Sequence, residues 1–360
     1  MTLRDLTRAE CTRMSDEAAR RECEALARKL PQGLRFDGLR EHTYCSRSYR
    51  LACFSRREAG DLVHFVLVPG GEVSLGYDGA QFKPRPWQIE SFEWWPNELI
   101  ERGMDPGQVK HSINDYVDWE TSSPRIAHLS AMLIEVEARS FELFGDSDLL
   151  DEQHPRFKEL TEEGRRLGSC EFVTGIPSEP RFSIKTEGDA VRIWRRRPMT
   201  HRQLEERLAA SGMRLPTCDE WEHACGAGTC TLFRWGDDSP CDFYPGDTCA
   251  EDRELKTAWA LSAGRLKYEE PPPGWDLHTQ RNLFGLRIAE NPYEVDITAD
   301  EPWALGGDGG TYICGGEGFF LGWLPLATAF RPRFFDWRFR PDRDNVADDY
   351  HHLRRIIPIV

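Results

Sequence analysis

The sequence predicts an α+β fold with short elements and long loops, on the strength of three observations. Short apolar runs that stop at Pro or Gly indicate strands, as at residues 62–68 before the Pro69-Gly70-Gly71 turn. A few segments carry helix-start signals followed by helix-forming residues. The regular alternation of strand and helix that a doubly wound α/β sheet requires is missing, and the chain after Gly212 is rich in Gly, Trp, Pro, Cys and Asp.

Residues 1–60 are predicted to form a helical extension. Asp16 opens an Ala-, Arg- and Glu-rich run that continues to Leu30, and Pro31 ends it. Acidic residues in a first turn and strong helix formers behind them are typical of a helix. The extension is expected to precede one larger domain that comprises residues 61–360.

The larger domain is predicted to contain short strands and short helices. Alternating or continuous apolar residues indicate the strands, and the helix at 201–210 begins after Thr200, a residue that caps helices. The predicted elements are, in chain order, a strand–turn–strand unit at 62–76, an apolar segment at 126–136, a polar helix at 151–166, a hairpin at 182–197 and the helix at 201–210.

Composition excludes several classes of protein. With 46 Lys and Arg against 61 Asp and Glu, the net charge of the 360-residue chain is −15, which argues against nucleic acid or an anionic membrane as a partner. The longest mostly apolar run, residues 319–330, is too short to span a bilayer. The charged N-terminus does not read as a secretory signal, so a cytoplasmic location and reduced thiols are expected for the 11 cysteines.

Four segments carry a resemblance to a known superfamily. The segments are VPGGEVSLG at 68–76, PRIAHL at 124–129, RLPTCDEWEHA at 214–224 with FRWGD at 233–237, and NLFGL at 282–286 with NPYE at 291–294 and GGTY at 309–312. They resemble the formylglycine-generating enzyme and sulfatase-modifying-factor superfamily, whose fold is a variant of the C-type lectin fold. The resemblance covers about residues 62–360, with insertions near 79–123 and 140–190, and leaves the N-terminal extension outside.

The resemblance implies an oxidoreductase that oxidises a cysteine of its substrate with molecular oxygen and copper(I). Copper(I) favours soft sulfur ligands, and the family holds it with two thiolates. Cys314, four residues after Gly310, matches the first thiol position, and no cysteine follows it at the second. Cys314 is therefore expected either to be a catalytic residue and copper ligand in an altered chemistry, or to be an ordinary buried thiol.

The resemblance also implies a structural calcium site. Asn291 and Glu294 match oxygen ligands of the family, and oxygen ligands on irregular loops suit calcium. The alternative for Glu294 is an ion pair with an arginine.

A run of aromatic and cationic residues near the C-terminus is a candidate substrate-binding wall. An arginine on such a wall reads a carboxylate or sulfate group through two parallel hydrogen bonds. The alternative is stacking of arginine on aromatic rings within the fold. The candidate residues are Arg331, Arg333, Trp337 and Arg340.

Two hypotheses for function follow from the residues and the resemblance. One is a metal-dependent oxidoreductase of altered chemistry that acts on a cysteine or on a small molecule. The other is a non-catalytic module that binds a small-molecule, peptide or protein ligand on the lectin-like frame. A fold alone does not choose between them, because this scaffold carries both enzymes and binding proteins.

Overall fold

The computed structural model describes most of the chain and contains, in the described part, nine α-helices and fifteen β-strands. It describes residues 6–30, 33–58, 61–93, 95–101, 103, 105–107, 109–144, 147–167, 171–174, 182–188, 190–196, 199–239, 245, 276–288, 293–301, 304–307, 319–331 and 351–359. The helices are α1 Arg8–Arg13, α2 Asp16–Lys29, α3 Pro86–Phe92, α4 Trp95–Glu101, α5 Ile113–Glu120, α6 Phe157–Leu167, α7 His201–Ala210, α8 Cys218–Gly226 and α9 Phe319–Trp323. The strands are β1 Arg35–Tyr44, β2 Arg47–Glu58, β3 Asp61–Val68, β4 Gly71–Leu75, β5 Arg125–Leu129, β6 Met132–Glu135, β7 Arg139–Ser140, β8 Ser147–Leu149, β9 Glu171–Thr174, β10 Phe182–Glu187, β11 Ala190–Arg196, β12 Val295–Ile297, β13 Ala304–Leu305, β14 His351–Leu353 and β15 Ile356–Pro358.

The central element is a five-stranded antiparallel sheet in the order β1-β2-β3-β6-β15. Strand β2 alternates between its faces, with Ala52 and Phe54 in one apolar cluster and Leu51 in another. The first cluster is closed by α2 and α7, and the second by α8 and the loop at 282–288. The sheet therefore lies between two apolar layers, and the predicted α+β class is confirmed.

The N-terminal extension is helical only in its first half. The prediction is correct for α1 and α2, whereas β1 and β2 form a hairpin that pairs with β3. Cys45 and Ser46 connect the hairpin with φ of +47° and +62°. Two residues in the left-handed conformation suit the twist of a two-residue hairpin loop. The Asn-Gly pair that usually indicates such a loop is absent, so the sequence does not predict this turn.

Both predicted insertions carry elements of their own. In the first, α3, α4 and α5 build an aromatic cluster with α9, in which Phe92 and Tyr116 lie 5.4 Å apart between ring centroids. In the second, β8, β11, β10 and β9 form a separate four-stranded sheet covered by α6. A mixed sheet in the order β13-β12-β14-β7 and the pair β4-β5 complete the strands. Among the described residues, no helix is long and apolar enough to cross a membrane.

Candidate functional site

The structure describes two of the site residues predicted from the sequence. Arg331 follows the turn after α9, and Glu294 lies half-buried immediately before β12. The remaining predicted residues lie outside the described residues; they are Cys314, Asn291, Arg333, Trp337 and Arg340.

Arg331 belongs to an ionic junction built around the carboxylate of Glu222 on α8. Glu222 is 3% exposed, and Arg331 donates to its Oε2 from Nη2. Arg125 donates to the same oxygen at 2.9 Å, and Ser122 Oγ donates to it at 3.0 Å. The backbone N–H of Gly76 donates to Oε1. The carboxylate is thus saturated by four donors from three separate segments of the chain.

This junction joins segments that carry the resemblance. Gly76 comes from the first segment, Arg125 from the second and Glu222 from the third. Arg125 also contacts Asp219 at 2.6 Å, one turn earlier on α8. Because a buried carboxylate that loses its partners is costly, these residues hold the segments in register. The carboxylate partner of Arg331 in this structure is a residue of the protein itself.

The other residues of the RLPTCDEWEHA segment also have structural partners. Thr217 and Glu220 form a reciprocal capping box at the start of α8, and Arg214 binds Glu220 with two hydrogen bonds of 2.6 Å. Trp221 is buried and donates to Asp296 Oδ2 at 2.8 Å. His223 donates to a backbone carbonyl at 2.8 Å, and burial lowers its pKa. The strongest motif in the sequence is therefore explained by folding.

A different place in the fold has the features of a ligand site, a cleft on the central sheet with a volume of about 280 Å³. The β1–β2 register shifts between Phe36 and Gly38, a β-bulge of the kind found beside functional sites. Gly38 has φ of +133° and faces Cys53, and a Cβ atom added to it would meet nothing within 4 Å. The bulge and the missing side chain leave open space above Cys53.

The cleft has an apolar floor and a polar rim. The register places Leu51, Cys53 and Val66 on the same face of neighbouring strands. Two histidines line the cleft; His42 Nε2 donates to the carbonyl oxygen of Asn282 at 2.9 Å, and His64 is exposed. The volume corresponds to a ligand of about ten non-hydrogen atoms.

The charged residues that line the cleft are Arg40 and Arg281 against Asp37 and Glu41, so a preference for an anion depends on Arg40 alone. Arg40 shares the face of the floor and forms no ion pair with any residue that the structure describes. Arg281 lines the opposite wall and pairs with Glu137 at 2.5 Å. The carboxylate of Asp37 is already bound by Ser55 Oγ at 2.9 Å. A ligand carboxylate would thus find, beside an apolar surface, a guanidinium that no carboxylate in the described part of the chain occupies.

Cys53 gives the cleft a thiol of low reactivity. Burial raises the pKa of Cys53, and the guanidinium groups of Arg40 and Arg281 act in the opposite direction. A neutral thiol is a small apolar contact surface and a poor nucleophile. The cleft is therefore better suited to binding than to covalent chemistry at this residue.

Sequence reasoning missed this cleft, although one signal for it was present. Gly38 stands alone within a strand-like stretch, and an isolated glycine in a strand indicates a bulge or a close approach. The lining residues come from β1, β2, β3, Val136 after β6 and the loop at 276–288, which the fold alone brings together. Within the described residues, no group of three or more His, Cys, Asp or Glu is arranged to hold a metal ion. Comparison with protein-family models and with curated proteins finds no match to this chain.

Proposed function

We propose that the protein binds a small organic anion, a carboxylate with a short apolar body, in the cleft on the central sheet. The observation that carries this proposal is the Arg40 guanidinium, which has no ion-pair partner among the described residues and lies at the rim of an apolar floor formed by Leu51, Cys53 and Val66. A cavity with an apolar lining and a few polar groups is the usual form of a small-molecule site. This function is the ligand-binding alternative of the two hypotheses from the sequence.

The test is calorimetric titration of the full-length protein with hexanoate and with benzoate. Arg40→Gln removes the charge at the cleft, and the matched control Arg57→Gln removes an exposed charge on β2 that does not line it. We expect Arg40→Gln to weaken binding by about 10–100-fold, the value of a charge-assisted hydrogen bond, and Arg57→Gln to leave it unchanged.

A second variant blocks the cleft without changing its charge. Cys53→Phe extends a ring into the open space above the floor, so binding of both carboxylates should be lost while the thermal unfolding temperature stays near that of the wild type. The proposal is contradicted if neither carboxylate binds the wild type, or if Arg40→Gln and Arg57→Gln behave alike.

The second candidate function is an oxidoreductase of the formylglycine-generating type with altered chemistry, in a domain of the C-type lectin variant. The junction at Glu222 supports the related frame, because it ties together residues from three segments of the resemblance. In such an enzyme Cys314 would hold copper, and Asn291 and Glu294 would hold a structural calcium. Copper(I) binding that is lost in Cys314→Ser, with oxidation of a cysteine-containing peptide, is the expected result; its absence excludes this mechanism.

A further inference from the structure

Three sulfur-containing residues line a small recess between the N-terminal helices and the central sheet. Cys11 of α1, Met14 after it and Cys23 of α2 all line this recess, whose volume is about 30 Å³. A water molecule needs about 10–15 Å³ of such space, so the recess has room for a guest the size of one or two water molecules. Cys23 is 4% exposed, whereas Cys11 and Met14 are half-buried, so the recess is reached from the solvent through the α1–α2 connection.

The two helices hold these residues in fixed positions. A capping box between Thr7 and Glu10 starts α1, and Ser15 caps α2 directly after Met14. Arg50 on β2 then binds the connection between the helices. Its Nη2 donates to the carbonyl oxygens of Cys11 and Met14 at 2.5 and 2.7 Å, and its Nη1 donates to Asp16 at 2.6 Å.

Polar and charged groups also contact the two thiols. Burial raises the pKa of Cys11 and that of Cys23, the latter to about 12, against the opposing charge of Arg50, and the hydroxyl of Tyr49 hydrogen-bonds the thiol of Cys11, so a metal ion would have to displace both thiol protons. Two thiolates with a monovalent cation carry a net charge of −1, and the nearest cation is the Arg50 guanidinium, which also binds Asp16. Most of the lining is apolar, and its potential metal ligands are the three sulfur-containing residues and the carboxylate of Glu22, so a divalent oxygen-seeking ion would find few of its preferred ligands.

We propose that Cys11, Cys23 and Met14 bind one copper(I) ion in this recess. Thiolate and thioether sulfur are the ligands that select copper(I), and the recess has room for a single ion. Binding releases two thiol protons to solvent and changes no oxidation state. The site lies in the N-terminal extension, is independent of the cleft, and uses none of the residues that the resemblance assigns to copper.

The test is anaerobic titration of the reduced full-length protein with copper(I) against a chromophoric copper(I) chelator. The wild type should retain one equivalent that both Cys11→Ser and Cys23→Ser lose, while Met14→Leu should bind about 10–100-fold more weakly. Cys230→Ser, which removes an exposed free thiol elsewhere, is the matched control and should bind as the wild type does. X-ray absorption at the copper edge should show sulfur ligands.

Three outcomes would overturn the site. Retention of copper(I) by both serine variants with wild-type affinity would exclude these thiols as ligands. Loss of copper(I) in Cys314→Ser with retention in Cys11→Ser would assign the ion to the position that the resemblance implies. Wild-type protein that binds no copper(I) would also refute it. Circular dichroism of each variant distinguishes loss of copper binding from loss of the fold. Cys11 is only half-buried, whereas Cys23 is buried, so Cys11→Ser should disturb the fold less than Cys23→Ser.

Discussion

Glu222→Gln removes the negative charge at the ionic junction while keeping the size of the side chain. Oε1 of Glu222 accepts from Gly76 N–H, and Oε2 accepts from Ser122, Arg125 and Arg331. Every partner is a donor, so the NH₂ group of a glutamine meets a donor in either orientation. The substitution therefore removes charge compensation and also breaks at least one hydrogen bond.

The size of the effect follows from the burial of the groups. Losing one partner of a buried ion pair typically costs about 3–5 kcal/mol. The Arg125 side chain is 30% exposed and still has its ion pair with Asp219 at 2.6 Å after the substitution. The contribution of Arg125 to the loss of stability is therefore reduced by solvent and by that remaining partner. Arg331 is 14% exposed and has no second carboxylate among the described residues. We therefore expect a loss of about 3 kcal/mol, the lower end of the range.

Urea unfolding followed by tryptophan fluorescence measures this loss. With the slope expected of a large chain, 3 kcal/mol moves the midpoint by roughly 1 M. The control is Glu137→Gln, because Glu137 pairs with Arg281 and Arg287 on side chains that are all 44–47% exposed. Exposed pairs contribute less than about 1 kcal/mol. A Glu222→Gln protein whose stability falls no more than that of Glu137→Gln would refute the structural role of the junction.

Three further predictions concern single residues of the core. Burial and, to a lesser extent, the positive charge of Arg234 lower the pKa of His278 from 6.5 to about 4. As the pH falls, this histidine is therefore protonated in the unfolded chain before it is protonated in the folded protein. The free energy of unfolding is unaffected by this group above pH 6.5 and falls by up to about 3 kcal/mol as the pH drops to 4. His278→Gln should flatten that part of the curve of stability against pH, and an unchanged slope contradicts the prediction. The side chain of Asn282 is fully buried and makes four hydrogen bonds of 2.7–3.0 Å to backbone groups. Asn282→Leu should therefore lower the free energy of unfolding, measured in urea, by about 2–4 kcal/mol. A loss below about 1 kcal/mol would argue against these hydrogen bonds. Gly76 and Gly38 both have positive φ, but a Cβ at Gly76 would lie 2.1 Å from Ser123 O, whereas a Cβ at Gly38 would meet nothing within 4 Å. Gly76→Ala should therefore lower the unfolding temperature far more than Gly38→Ala. Equal shifts in the two variants would show that backbone strain alone determines the effect.

Local signals in the sequence predicted several elements closely. The apolar run before Pro69 is β3, the helix expected after Thr200 is α7, and the alternating stretch near 182–197 is the β10–β11 hairpin. Each has a cause within a few residues, such as a capping side chain or a run of β-branched residues. The aromatic insertion could not be assigned, because its helices are short and have no clean apolar period.

The hairpin β1–β2 and the cleft could not be predicted for a physical reason. Strand β1 lies at the edge of the sheet, where charged side chains are tolerated, so its composition resembles that of an exposed helix. Its turn uses Cys45 and Ser46 in left-handed conformations in place of glycine or asparagine. The cleft depends on a one-residue register shift at Gly38, and register is a property of paired strands.

The strongest sequence motif and the proposed binding sites lie in different parts of the molecule. Glu222 and its neighbours on α8 are occupied by the chain itself, so they explain why distant segments resemble a family without indicating what is bound. The sulfur-lined recess is lined mainly by the N-terminal helices, β1 and β2, whereas the cleft combines β1 and β2 with β3, Val136 and the loop at 276–288. Among the described residues, those at 6–58 join the rest of the sheet through β2–β3 pairing and make no hydrogen bond or ion pair with Glu222, so substitutions there can alter the proposed binding sites without breaking the junction. The two proposed binding sites are therefore best tested first through residues 6–58, which contribute to both of them.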